Sequence, residues 1–143
     1  MQITLREIRQ TDQTRVSELL TELGYQNTEN FMAQRIAQIL DHPDEYCYVA
    51  ENEGRIVGMI SMSVILQIAL SGDFARISYL VIDEKYRGLG IGHLLEEKCL
   101  EVAKLRKCVR IELHCHERRK SAHQFYYALG YAESPKYLYR DIM

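Results

Sequence analysis

Residues 87–92 read Arg-Gly-Leu-Gly-Ile-Gly, with Gly88, Gly90 and Gly92 at alternate positions just ahead of an apolar run. A glycine costs roughly 0.5–1 kcal/mol relative to alanine inside a helix, so three at a helix entrance ask for another purpose. The first N–H groups of a helix lack internal partners, and the helix dipole puts partial positive charge there. A turn stripped of Cβ lets an anion approach those groups, and Arg87 adds a fixed cation with several donors. The chemistry implied is capture of a phosphate or pyrophosphate. Spacing excludes two common phosphate loops. G-x-G-x-x-G counted from Gly88 meets His93, and counted from Gly90 it meets Leu95; G-x-x-x-x-G-K-[ST] does not occur.

A second group lies on an alternating segment, Cys108–His116. Val109, Ile111 and Leu113 share one face of the strand it predicts; Arg110, Glu112, His114 and His116 share the other. Two histidines on one face are within reach of a single ion. A structural zinc site takes four ligands and a catalytic one three protein ligands. Spacing supplies no third partner, Glu112 and His42 being the residues a fold would have to bring, so no metal is expected.

The elements that must position these groups follow from periodicity. "ITLREI" reads as a strand, "DQTRVSELLTEL" as a helix ended by Gly24, and "TENFMAQRIAQIL" as a second helix with Asn27 or Thr28 as N-cap. Strand 46–51 turns at Asn52-Glu53-Gly54 and returns through 55–66, and 75–83 is the next strand. The glycine segment opens a helix reaching Leu105, with Ile91, Leu94, Leu95, Val102 and Leu105 as its apolar positions. After strand 108–116 comes the helix "SAHQFYYALG", closed by Gly130 with Ala122, Phe125, Tyr126 and Leu129 on one stripe. A last strand is expected in "YLYRDI", 137–142. The order β α α β β β α β α β predicts an α/β (α+β mixed sheet) domain spanning 1–143.

Composition limits the function classes. A net charge of −2 and a pI near 6.2 give no electrostatic grip on nucleic acid. The charged start "MQITLREIRQ" does not read as a signal peptide, and no run approaches a membrane span, so a cytoplasmic protein is expected. Cys47, Cys99, Cys108 and Cys115 show no C-x-x-C spacing and read as buried free thiols.

The segment Arg87–Gly92 resembles the R/Q-x-x-G-x-G/A acetyl-CoA signature of the GNAT superfamily of N-acetyltransferases. "ISYLVIDEKYRGLGIG" is similar to that family's strand-loop-helix core, and "SAHQFYYALGY" to its later A-x-x-F-Y-x-x-x-G-F/Y segment. The resemblance covers nearly the whole chain. It implies a GNAT-like acyl-CoA N-acyltransferase fold: a mostly antiparallel sheet flanked by helices and splayed between the strands matching 76–82 and 108–115. Acetyl-CoA would lie in that gap as cosubstrate. The backbone of Leu80, Val81 and Ile82 would hold the pantetheine arm, and Arg87, Gly88, Leu89, Gly90, Ile91, Gly92 and His93 the pyrophosphate.

The resemblance also implies roles in the reaction. Tyr126 occupies the position of the family's conserved tyrosine, the acid that protonates the departing thiolate; Tyr127 is expected at the surface. Many relatives carry a glutamate where this chain has Ser78, and Glu112 and His114 are the substitutes for a base. Arg118, Arg119 and Lys120 form either a contact for the CoA phosphates or a solvated basic turn. "DHPDEYCYVAENEGRIVGMISMSV" and "AHQFYYALGYAES" are similar to the aminoalkylphosphonate N-acetyltransferase branch, which suggests a small primary amine as acceptor. Acetylation of a protein N-terminus or lysine, and a non-catalytic acyl-CoA sensor, stand as alternatives. The acceptor pocket is expected from 22–30, 64–75 and 131–139, and a homodimer from the habits of the family.

Overall fold

The structure, a computed structural model, describes residues 1–113, 120–134 and 138–143. The chain divides into two compact units, Met1–Leu113 and His114–Met143. In the first, β1 (Ile3–Glu7), β2 (Glu45–Asn52), β3 (Arg55–Ile65), β4 (Phe74–Ile82) and β5 (Arg110–Leu113) form one sheet in chain order. The first three pairings are antiparallel and β4–β5 is parallel. A parallel neighbour requires a crossover, and α3 (Ile91–Leu105) supplies it.

Each face of the sheet has its own core. α1 (Gln13–Leu23) and α2 (Met32–Asp41) cover one face, where Val16, Leu19 and Ile36 join Cys47, Val49 and Met59. α3 covers the other, where Ile91, Leu95 and Cys99 join Tyr48, Ile60 and Ile77. Leu19 and Leu95 are both fully buried, each contributing roughly 1.5–3 kcal/mol of transfer free energy. The β2–β3 hairpin turns as expected through Glu53 and Gly54, at φ 52° and 78°. Two positive φ values in succession match the right-handed twist of the flanking strands.

Three expected elements are corrected. The second helix does not start at Asn27 or Thr28. Asn27 is left-handed at φ 62°, Thr28–Asn30 form a 3₁₀ turn, and α2 begins only after Phe31 at φ −137°. Phe31 is 46% exposed, so Met32 and Ile36 carry the buried stripe instead. Gly88 and Gly90 lie outside α3, which begins at Ile91 and includes Gly92, and it buries Cys99 while Leu94 and Leu105 are exposed. The expected last strand does not form over 138–142, whose residues join no ladder. Alternation proposes a strand, but only a hydrogen-bonded neighbour makes one. Leu138 and Ile142 are 91% and 94% exposed, so nothing covers the face their spacing offered. Tyr137 lies outside the described residues.

In the second unit, α4 (Lys120–Ala128) forms as expected. The chain turns at Gly130, φ 96°, where Gly130 donates to the Tyr127 carbonyl and Tyr131 to that of Tyr126.

Candidate functional site

β4 is the element on which the site is built. Its pairing with β5 joins Phe74 to Arg110 and ends with Ile77 opposite Leu113. From there β4 continues through Ile82, paired among the described residues only with β3. Among the described residues, the alternate N–H and C=O groups of Ser78–Ile82 therefore have no second strand to bind, and this stretch is an open edge. That is the edge expected to take the amides of a pantetheine arm.

A bulge sits where the edge begins. Ser61 pairs with Tyr79 and Met62 with Ile77, so Ser78 has no partner on β3. The extra residue reverses the alternation. Ala75 and Ile77 belong to the α3 core; past the bulge Leu80 and Ile82 pack there, and Val81 joins the α1/α2 core. Tyr79 turns to the α1/α2 side with Val81 and meets Tyr25 edge to face, ring centroids 5.3 Å apart. Burial beside Tyr25 raises the Tyr79 hydroxyl above its ordinary 10.0.

The far end of β4 is fixed by Asp83, a residue the motif does not contain. Its N–H donates to the Val57 carbonyl at 2.8 Å, and its carboxylate accepts from the Lys85 N–H at 2.9 Å. The same carboxylate pairs with Arg15 of α1, whose Nε donates to the Ile56 carbonyl at 2.8 Å. The Lys85 N–H and the Arg15 guanidinium hold the Asp83 carboxyl below its ordinary 3.8 despite burial. Asp83 thus ties the end of β4 to β3 through its N–H, and to α1 and the start of the glycine turn through its carboxylate.

The turn then has the expected form. Gly88 and Gly90 stand at φ 76° and 85°, and open space lies where either Cβ would be. Gly90 is the N-cap of α3 and accepts from the Leu94 N–H at 3.2 Å. The N–H groups of Ile91, Gly92 and His93 begin the helix without intrahelical partners. Arg87 donates from Nε to the Ile82 carbonyl at 3.2 Å, so its guanidinium lies over the strand end. His93 is exposed, 3.6 Å from Glu97. Gly58 brings α3 close: a Cβ there would meet Ile82 at 2.8 Å and Leu95 at 3.3 Å. Without that gap the helix could not seat its N-terminus beside the open edge.

The other expected residues are placed as follows. Glu112 stands opposite Arg76 in the parallel pairing, and Arg76 Nε donates to its Oε1 at 2.8 Å. Tyr126 is buried in its own unit, its ring edge to face with Phe125 at 5.1 Å and Tyr131 at 5.6 Å, while Tyr127 is 51% exposed as expected. His114, Cys115, His116, Arg118 and Arg119 lie outside the described residues, as do the side chains of Lys120 and Ser121. Among the described residues no three metal-ligating side chains converge, and His42 accepts from the Asp44 N–H at 3.1 Å. Cys47 and Cys99 are buried free thiols as expected, and burial pushes both up to about 12. No helix among the described residues is long and apolar enough to cross a membrane.

An open strand edge that ends in a left-handed glycine turn at a helix start fits an amide-bearing arm followed by phosphates. Such an arrangement is what an acyl-CoA-dependent acyltransferase requires of a donor site. Residues 5–131 match the model of the acetyltransferase (GNAT) family, and the chain belongs to that family, whose members are acyltransferases that use acetyl-CoA. It is 32% identical over 120 residues to an aminoalkylphosphonate N-acetyltransferase of Salmonella typhimurium strain LT2, covering 83% of this chain and 75% of that one. Its fold is similar to that of a transcriptional regulator from Bacillus halodurans C-125, with a TM-score of 0.90, 24% identity, and 99% and 100% of the two chains covered. It is also similar to an aminoglycoside N-acetyltransferase solved in complex with CoA, with a TM-score of 0.86, 14% identity, and 99% and 96% covered. At such identities these likenesses show the fold.

Proposed function

We propose that the chain transfers the acetyl group of acetyl-CoA directly to the primary amine of a small molecule. The observation that carries the donor half is the continuity of the open edge, Ser78–Ile82, with the left-handed turn at Gly88 and Gly90. In this reading the backbone of Leu80, Val81 and Ile82 holds the pantetheine amides, and Arg87 through His93 surround the pyrophosphate. The likeness to a Salmonella enzyme named for a small aminoalkyl acceptor supports a small amine.

A free alkylamine has a pKa of about 10.4 and must shed a proton before it can attack. Glu112 and His114 are assigned to that task. The amine nitrogen then bonds to the thioester carbonyl carbon, and the carbon–sulfur bond breaks. The thiolate takes a proton from the Tyr126 hydroxyl, since a thiol of pKa about 8.5 leaves more readily when protonated.

Release of CoA thiol across a panel of small amines and peptides tests this. Small amines are expected to be acetylated and peptides not; turnover with peptides alone would overturn the acceptor assignment. Tyr126→Phe is expected to lower kcat about 100-fold with little change in acetyl-CoA binding. Unaltered kcat would remove the acid role.

A further inference from the structure

The parallel pairing of β4 and β5 carries a row of charges that the donor site does not use. Glu45 of β2 stands opposite Ser63, Ser63 opposite Arg76, and Arg76 opposite Glu112. Cross-strand partners share a face, and this is the α1/α2 face, since Cys47, two residues beyond Glu45, lies in that core. Adjacent strands are about 4.8 Å apart, so the row spans roughly 14–15 Å. Arg110 lies on the same face of β5, its guanidinium 4.9 Å from the Phe74 ring.

The row is not a closed ionic network. Arg76 directs both Nε and Nη2 at a single oxygen of Glu112, Oε1. Among the described residues, Arg76 Nη1 and Glu112 Oε2 have no hydrogen-bond partner. A buried oxygen of Glu45, Oε2, has none either. The Arg76 side chain is 40% exposed. Its Cα stands two residues before Ser78, about 7 Å along the strand from the start of the open edge. A two-nitrogen grip on one oxygen leaves a guanidinium edge ready for an anion, and the unfilled Glu112 oxygen beside it suits an ammonium.

We infer that Arg76 is a specificity-determining residue of the acceptor site, and that the row takes a short amine that also carries an anionic group, a carboxylate, phosphate or phosphonate. This rests on the small-amine reading above. Arg76 binds the acid through its outer edge, while Glu112 holds the guanidinium on the β5 side of β4, the side on which the edge opens. Arg110 adds a second positive charge one pairing step away. A neutral amine of the same length would leave the Arg76 edge without a partner and gain nothing from it.

The test measures kcat/KM for three amines of similar length: 3-aminopropanoate, 2-aminoethyl phosphate and neutral 2-aminoethanol. The wild-type protein is expected to favour at least one anionic amine over the neutral one by about tenfold or more, the value of one hydrogen bond to a charged group. The stronger of the two anionic arms identifies the acid. In Arg76→Gln that ratio is expected to fall toward one, with the KM for acetyl-CoA unchanged; Arg76→Lys is expected to fall between. Ratios taken on one preparation do not depend on its folded fraction, so a loss of stability does not mimic the effect. A wild-type ratio near one, or a ratio that Arg76→Gln leaves intact, overturns the inference while the small-amine reading stands. No turnover with any small amine overturns that reading and takes this inference with it.

Discussion

Two stretches of β4 separated by one residue offer a ligand different chemistry. Past Ser78, the open edge and the glycine turn offer main-chain N–H and C=O groups, and side chains serve mainly to hold that backbone in place. Before Ser78, Phe74 and Arg76 stand opposite Arg110 and Glu112, and whatever is bound there meets side-chain charge. Main-chain recognition needs a fixed conformation and few particular side chains. Side-chain recognition tolerates many conformations and depends on identity. A common cosubstrate suits the first device and a varied acceptor the second.

The sharpest way to break the comparison is at the turn. Gly90→Glu puts a left-handed side chain at about 1–2 kcal/mol of strain and a carboxylate where the proposed function puts the pyrophosphate. Acetyl-CoA is expected to raise the Tm of the wild-type protein and to have no effect on the variant. Gly92→Glu separates charge from strain, because Gly92 does not have a positive φ. If both variants still respond to acetyl-CoA, the turn is not the phosphate site.

Next come the two cores. Leu95→Ala and Leu19→Ala each empty a fully buried position, one on either face. Each is expected to cost about 2–5 kcal/mol in urea unfolding. Leu95→Ala is also expected to weaken acetyl-CoA binding, because Leu95 seats α3 against Gly58; equal loss of binding in both variants would erase the distinction between the faces.

The smallest effect is expected at Asp83. Asp83→Asn loses charge-assisted hydrogen bonds worth about 1.5–3 kcal/mol. It also changes the pH profile. Burial raises the Asp12 carboxyl, but Arg6 and the Arg9 N–H outweigh it, so both Asp12 and Asp83 titrate below their ordinary 3.8. Their contribution is complete above that value and is lost as pH falls through the lower folded values. Unfolding free energy is therefore expected to drop steeply below about pH 4, and less steeply in Asp83→Asn. An unchanged acid limb would show that Asp83 does not tie the strand end to the turn.

The glycine turn was legible because its signal is local. Gly88 and Gly90 are two residues apart in one turn, and one short window contains the conformation, the charge and the helix start. Gly24, Gly54 and Gly130 were readable for the same reason. Arg76 was not, since nothing in "DFARIS" says that Glu112 stands opposite; only the register of a parallel pair brings them together. Asp83 was missed likewise, its partner Arg15 being on α1. The expected strand over 137–142 erred in the other direction, because alternation describes one segment and a strand is a relation between two. Phe31 misled because an apolar residue at helical spacing can still lie on the exposed turn that precedes the helix.

The single unpaired residue at Ser78 divides the strand into two independent reading frames. Phe74 and Arg76 lie on one side of that break and Leu80, Val81 and Ile82 on the other. On the function proposed above, a change of acceptor calls for rewriting the first frame alone and leaves the thioester donor site as it stands.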